Sequence, residues 1–284
     1  MLIKKCQIII AFSCALLAAF SGSQFRNNNN HQQQTSSLKK KEKKNVQPLD
    51  VKGVFWIHIQ KTGTSLFNTI YLHFCPKIVH DNPGIVNSTE PLMDETLLRD
   101  YPPKEFCNVT IYNLPRVGFH HPYRQNQQRN VYYFTMLRDP MERLQSAYSF
   151  RQDGGFPHLS RLKDASISFD TYVNEKHIPE CQLKMVLGHK CYADVDPSLL
   201  NVTLAVERIQ QPIFYFGITD SWNKSICLFH HMFGGTVRPF ELKNNRKTKR
   251  MDIGGSNSSY IFAETYFYQR ALEIFNDRVQ EAGC

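Results

Sequence analysis

Two stretches of this 284-residue chain constrain its fold more than anything else in it. Val54-Phe-Trp-Ile-His-Ile59 and Val131-Tyr-Tyr-Phe-Thr-Met-Leu137 are almost unbroken runs of apolar, β-branched and aromatic residues. A strand with one wetted face alternates apolar and polar side chains. A run without alternation must be covered on both faces, as strands of parallel sheets are. Each run empties into a short polar turn and then into helical spacing. Gln60-Lys-Thr-Gly-Thr-Ser65 leads to Leu66, Phe67, Ile70, Tyr71 and Phe74. Arg138-Asp139-Pro140 leads to Arg143, Leu144, Ala147 and Tyr148, with Asp139 placed as N-cap and Pro140 as first helical residue.

A third run, Pro212-Ile-Phe-Tyr-Phe-Gly-Ile218, repeats the pattern, with Asp220-Ser221 expected to cap a helix through Ile226, Phe229 and Phe233. Tyr260–Val279 has the spacing of a long terminal amphipathic helix. Loops are expected at 76–91 and 236–258, and no internal repeat is present. Strands alternating with helices predict an α/β fold: a central, mostly parallel sheet covered on both faces. The length suits one such domain, or at most two small ones. A content of 42% hydrophobic and 21% charged residues excludes a wholly disordered or polytopic membrane chain.

The formal charge of +9 would suit a nucleic-acid binder were it spread over the chain. It is not: eight basic and two acidic residues place +6 of it within residues 1–50. The remaining body is mildly basic, so an anionic partner has to be gripped locally, and no nucleic acid is expected.

Residues 1–22 read as a signal anchor or a signal peptide. Lys4 and Lys5 precede Ile8–Phe20, apolar except for Ser13. As a helix these thirteen residues span roughly 20 Å, short of the ~30 Å core of a bilayer. A cleaved signal fits that length and the small residues after it; an uncleaved type II anchor fits the lysines. Residues 23–50, with Asn27–Asn30, Gln32–Gln34 and Lys39–Lys44, read as a disordered luminal stem, and 51–284 as the folded domain. Five sequons (Asn87, Asn108, Asn201, Asn223, Asn257) and six cysteines beyond residue 22 fit a secretory compartment. Six cysteines fit three disulfides, with Cys181–Cys191 the best single pairing because its loop is short. Zinc is disfavoured because no C-x2-C spacing occurs.

Ligands of open α/β sheets bind beyond the carboxyl ends of strands, where both polar turns lie. Gly63 lets backbone approach an anion, and the amides of residues 63–66 open a helix whose dipole favours one. Lys61 adds a mobile charge, and Thr62, Thr64 and Ser65 add hydroxyls. In the second turn Arg138 can fork onto an anion, and Ser146, two helical turns on, can face the same cleft. A nucleotide triphosphatase is disfavoured: Lys61 precedes the loop's glycine, whereas a Walker A lysine follows it.

Phe55-Trp-Ile-His-Ile-Gln-Lys-Thr-Gly-Thr-Ser65 resembles the 5′-phosphosulfate loop of Golgi carbohydrate sulfotransferases. Tyr133-Phe-Thr-Met-Leu-Arg-Asp-Pro-Met-Glu-Arg-Leu-Gln-Ser-Ala-Tyr148 resembles their 3′-phosphate motif. The nearest flavour is the heparan sulfate 2-O/6-O group, over roughly residues 53–280. The resemblance implies a P-loop-like three-layer fold and the co-substrate 3′-phosphoadenosine 5′-phosphosulfate. Lys61 would then contact the bridging and sulfuryl oxygens, Thr62 to Ser65 the 5′-phosphate, and Arg138 with Ser146 the 3′-phosphate. The family commonly has a second glycine where Thr64 stands, so a narrower approach to the phosphate is expected here.

Gly118-Phe-His-His-Pro-Tyr123 resembles the segment in which relatives place a catalytic histidine. His120 is the better match for the general base and His121 the second. His58, inside the first strand, reads as structural. No metal is required, since lysine and amides supply the charge stabilisation. Arg116, Arg124 and Arg129 flank the histidines as candidates for an acidic sugar polymer, and the basic loop Asn244–Arg250 reads chiefly as a solvated one. The resemblance implies a Golgi-luminal, type II membrane-anchored enzyme that sulfates a glycan, or the same enzyme secreted after signal cleavage. The rival readings are a protein-tyrosine sulfotransferase, an inactive glycan- or nucleotide-binding module and, last, a luminal kinase.

Overall fold

Strand β3 (Val131–Leu137) is buried at all seven positions, which is why its sequence does not alternate. The computed structural model describes residues 49–84, 98–113, 120–126, 128, 130–150, 166–243 and 261–284. Within them β3 is an inner strand of a four-stranded sheet ordered β2–β1–β3–β4, comprising β1 (Gly53–Trp56), β2 (Thr110–Tyr112) and β4 (Phe214–Ile218). Every pairing is parallel: Gly53 stands opposite Thr110 and Val131, and Leu137 opposite Ile218. The expected central parallel sheet is present.

Both faces are covered, and alternate residues of β3 show by what. Phe134 meets Phe74 of α1 (Leu66–Phe74) at 5.9 Å and Phe233 of α8 (Trp222–Phe233) at 4.9 Å. On the opposite face Tyr133 packs on Tyr123 at 4.8 Å. Arg208 of α7 (Val202–Gln210) covers Tyr123 in turn, 4.3 Å from its ring. Phe216 lies beside Phe275 of the terminal helix α9 (Phe262–Ala282). Helix, sheet and helix layers thus enclose an aromatic core, in which edge-to-face and offset ring pairs stabilise beyond simple burial.

Helix α4 (Pro140–Phe150) starts as its sequence dictates, with Asp139 Oδ1 accepting the Glu142 amide at 3.0 Å. Four expectations need correction, the first being the loop expected from residue 76, where Pro76–Asp81 form a helix. The first strand ends at Trp56 rather than Ile59, because Ile59 N closes on Ile57 O (3.1 Å) and bends the chain out of the sheet. The third strand starts at Phe214, not Pro212, since the preceding residues turn, with Phe214 N bonding Gln211 O (2.9 Å). Asp220 and Ser221 do not cap α8: Thr219–Ser221 coil into a 3-10 turn, and Ser225 Oγ donates back towards Ser221 O (3.0 Å) instead.

Other elements were not legible. Edge strand β2 has three residues, too few for a periodic signal. Neither α2 (Pro76–Asp81) nor α3 (Pro103–Phe106), both short, has one. No motif announces α5 (Phe169–Val173), α6 (Cys181–Leu187) and α7. The six cysteines pair as Cys75–Cys107, Cys181–Cys191 and Cys227–Cys284, which includes the expected pair. The last ties the end of α9 to α8. No helix among the described residues is long and apolar enough to cross a membrane, and the amino-terminal segment lies outside them.

Candidate functional site

The loop after β1 carries two left-handed backbone positions, Lys61 (φ 64°) and Gly63 (φ 107°). A left-handed non-glycine residue costs roughly 1 kcal/mol, so the surroundings must hold Lys61 there. Thr62 Oγ1 donates to Ile59 O at 3.0 Å, closing the loop on itself. Thr219 Oγ1, just past β4, donates to Thr62 O at 2.5 Å, with Leu137 O a longer second acceptor at 3.1 Å. Gly63 is required twice over: its φ excludes most side chains, and a Cβ would stand 3.1 Å from the Trp222 ring.

Helix α1 starts from this loop. Leu66 N and Phe67 N turn back to Gly63 O and Thr64 O, at 3.2 and 2.9 Å. Asn68 N likewise bonds Ser65 O (3.1 Å), so the first helical amides are taken up by this loop, and its own amides at 63–65 lie ahead of the first turn, where the dipole favours an anion. Ser65, at the N-cap position, makes no side-chain cap bond. Lys61 Nζ lies 3.7 Å from the Phe150 ring centroid, so the lysine of the first motif reaches the last residue of the second motif's helix.

Arg138 is held through its main chain. Its N–H donates to Gln182 Oε1 and its carbonyl accepts from Gln182 Nε2, both at 2.8 Å. Gln182 is fully buried on α6, and its Nε2 also donates to Glu264 Oε1 of α9 at 2.7 Å. Glu264, equally buried, is ion-paired with Arg143 of α4 at 3.4 Å. A buried charge is tolerable only when paired and hydrogen-bonded, and this network meets that condition. The Arg138 guanidinium is not free: Nη2 pairs with Glu142 Oε2 at 3.2 Å, one helical turn on. Asp220 lies beside the same pair; burial and the neighbouring Glu142 raise its carboxyl, and Arg138 opposes. An anion reaching Arg138 has to compete with carboxylate. Ser146 is 4% exposed, on the inward side of α4 with Arg143 and Ala147.

The histidines meet the first loop. His58 N donates to His121 O at 3.2 Å, and the His58 and His120 ring centroids are 4.7 Å apart. Burial holds His120 down to about 4, a backbone hydrogen bond to His58 opposes, and the charges of His121 and Lys61 add to the depression. Lys61 and His120 therefore share one electrostatic neighbourhood, with the imidazole neutral. Its Nδ1 is buried without a hydrogen-bond partner. His121 is lowered by burial and by Arg124, and sits outward of His120. His58 is not inside a strand, although its apolar neighbours predict one. It lies beyond β1, with Nε2 3.1 Å from Thr64 Oγ1.

Lys61, Thr62, Gly63, Thr64 and Ser65 thus form one loop, joined to His120 by charge and to the end of β3 by Thr219. Arg124 is exposed. Arg116, Arg129 and Asn244–Arg250 lie outside the described residues. Thr219, Gln182 and Glu264 escaped the sequence reading. A buried glutamine's task depends on a main chain 44 residues away, and no local pattern encodes that.

The sulfotransferase family profile matches residues 48–192, just over half of the chain and spanning both turns. The chain is 24% identical over 190 residues to mouse (Mus musculus) heparan-sulfate 6-O-sulfotransferase 3, covering 55% of this chain and 40% of that protein. It is 25% identical over 256 residues to mouse heparan sulfate 2-O-sulfotransferase 1, covering 78% of this chain and 70% of that one. It thus spans less than half of the first relative. With the parallel sheet and the loops at its strand ends, the match establishes that the chain belongs to the sulfotransferase family.

Proposed function

We propose that this protein transfers a sulfuryl group from 3′-phosphoadenosine 5′-phosphosulfate to a hydroxyl of a glycan. The observation that carries the reading is the packing of the His120 ring 4.7 Å from His58, at the foot of the lysine-bearing helix-start loop, where burial and the Lys61 charge lower its imidazole to about 4. The acceptor oxygen attacks sulfur in line; an O–S bond forms, and the bond from sulfur to the bridging oxygen breaks. The electron pair leaves on the 5′-phosphate of adenosine 3′,5′-bisphosphate. The hydroxyl proton passes to His120, assistance worth ~10²–10⁴-fold. Lys61 and the amides of 63–65 neutralise charge building on the leaving phosphate. Arg138 and Ser146 hold the 3′-phosphate, for which Arg138 gives up Glu142.

His120 is preferred over His121 because it is the one packed on His58 and within reach of the Lys61 charge. The names of both relatives support a glycan acceptor, and an acidic polysaccharide fits the exposed Arg124. Three disulfides and exposed sequon asparagines at 108, 201 and 223 support residence in the Golgi lumen, held by residues 1–22 with 23–50 as stem. The test is sulfate transfer from labelled donor to a panel of desulfated glycans and tyrosine peptides, with the product position mapped by mass spectrometry. Transfer to glycan supports the reading. Transfer to peptide alone replaces the acceptor, and donor-product binding without turnover on any acceptor leaves an inactive module.

A further inference from the structure

We propose that His58 is a positioning residue for the donor: it holds the Thr64 hydroxyl so that the hydroxyl's own proton is presented to the 5′-phosphate group. The inference rests on the donor reading above and adds to it a residue whose side chain that reading leaves without a task.

The geometry is specific. His58 is 7% exposed, and its Nε2 lies 3.1 Å from Thr64 Oγ1, six residues on and across the bend that takes the chain out of the sheet. Thr64 stands in the loop that opens α1, two residues before the first helical position. A threonine hydroxyl has one proton and two lone pairs. If Thr64 donates to Nε2, it turns only lone pairs towards an incoming anion and repels it. If Nε2–H donates to Thr64, the proton of the hydroxyl is released for the anion. A bound phosphate therefore selects the Nε2–H tautomer and makes the pair a short donor chain from ring to hydroxyl to phosphate. Hydrogen bonds to charged groups are worth more than neutral ones, so the chain gains strength when the anion is present. The Cβ that narrows the approach at residue 64 is thereby offset by a directed donor.

The main chain of His58 has a separate task, since its N–H holds His121 O. Side-chain substitutions leave that tie in place, which separates the effect on Thr64 from displacement of the base segment.

The experiment is calorimetric binding of adenosine 3′,5′-bisphosphate to the full chain, with thermal unfolding of each variant alongside. Thr64→Val and His58→Leu should each weaken binding by ~10-fold, and the double variant should be no worse than either single one. His58→Gln, which places an amide N–H near the reach of Nε2, should recover binding to within about 3-fold, and His58→Asn, too short, should not. A purely structural role for His58 predicts losses that multiply in the double variant and no rescue by Gln over Asn; either result overturns the proposal. If His58→Leu does not fold, the comparison of Gln with Asn decides. Lys61→Ala separates this proposal from its foundation. Should Lys61→Ala bind the bisphosphate as the wild type does, the donor site itself is wrong. Should Lys61→Ala lose binding while folded His58→Leu keeps it, only the role of His58 falls.

Discussion

Thr219 Oγ1 lies 2.5 Å from the carbonyl oxygen of Thr62, and 3.1 Å from that of Leu137. One hydroxyl at the end of β4 thus holds the lysine-bearing turn against the residue that precedes Arg138. Thr219→Val keeps the shape and removes the donor, leaving carbonyls short of a partner, at a cost of about 1–3 kcal/mol. The expected outcome is a lower unfolding midpoint together with weaker binding of adenosine 3′,5′-bisphosphate. A lower midpoint with unchanged affinity would show that the stitch serves the fold alone.

The pairing of Arg138 with Glu142 sets a second expectation. The pair is only partly buried, so its own contribution to stability is small. On the proposed reading its effect on an incoming phosphate is larger, because the guanidinium has to exchange one anion for another. Glu142→Gln should tighten bisphosphate binding by about 3- to 10-fold and steepen its dependence on salt. Weaker or unaltered binding in titration calorimetry would remove Arg138 from the donor site.

As the proposed base, His120 should set the acidic limit of turnover. In the free protein its imidazole is lowered to about 4, first by burial and further by His121 and Lys61. The base is active when neutral, so kcat/KM should fall only as pH drops towards 4 and stay flat above 5.5. Bound donor offsets the positive charge of Lys61, so the acidic limb of kcat should lie at higher pH than that of kcat/KM. His120→Ala should abolish turnover and leave bisphosphate retention intact. Activity that survives in both His120→Ala and His121→Ala would require a different base.

Glu180 connects folding to pH in the opposite sense from an ordinary carboxylate. Burial raises it to about 8, with Glu264 adding to the shift. The folded state keeps this proton where the unfolded chain, near 4.5, has released it. Stability from this group is therefore full below about 4.5 and is lost as pH rises to about 8. Glu180→Gln should match the wild-type unfolding midpoint near pH 4.5 and exceed it at pH 8. A difference that does not change with pH would show that Glu180 is ionised in the folded protein.

Much of the fold was readable because its signals are local. Val131–Leu137 has no alternation, and it is the strand buried at every position. Asp139-Pro140 forecasts the start of α4, which the Asp139 cap bears out. Gly63 follows Lys61 in a turn between strand and helix, and the backbone there is left-handed at both. The helices of residues 166–210 were not readable, since their burial depends on what packs against them and their own periodicity is short.

Residue type and order alone determined that two polar turns follow two buried strands, and that each turn carries a cation at a helix start. They did so because period, cap and turn chemistry act over a few residues. Only the tertiary structure decided that Thr219 ties the two turns together, that Gln182 and Glu264 brace the backbone of Arg138, and that His58 leaves the sheet to reach Thr64. Each of these is a hydrogen bond whose partner is set by where parallel strands and their covering helices end in space, or by a bend at a strand end. Directional bonds of that kind leave no trace in hydrophobic periodicity, which records burial and not partners.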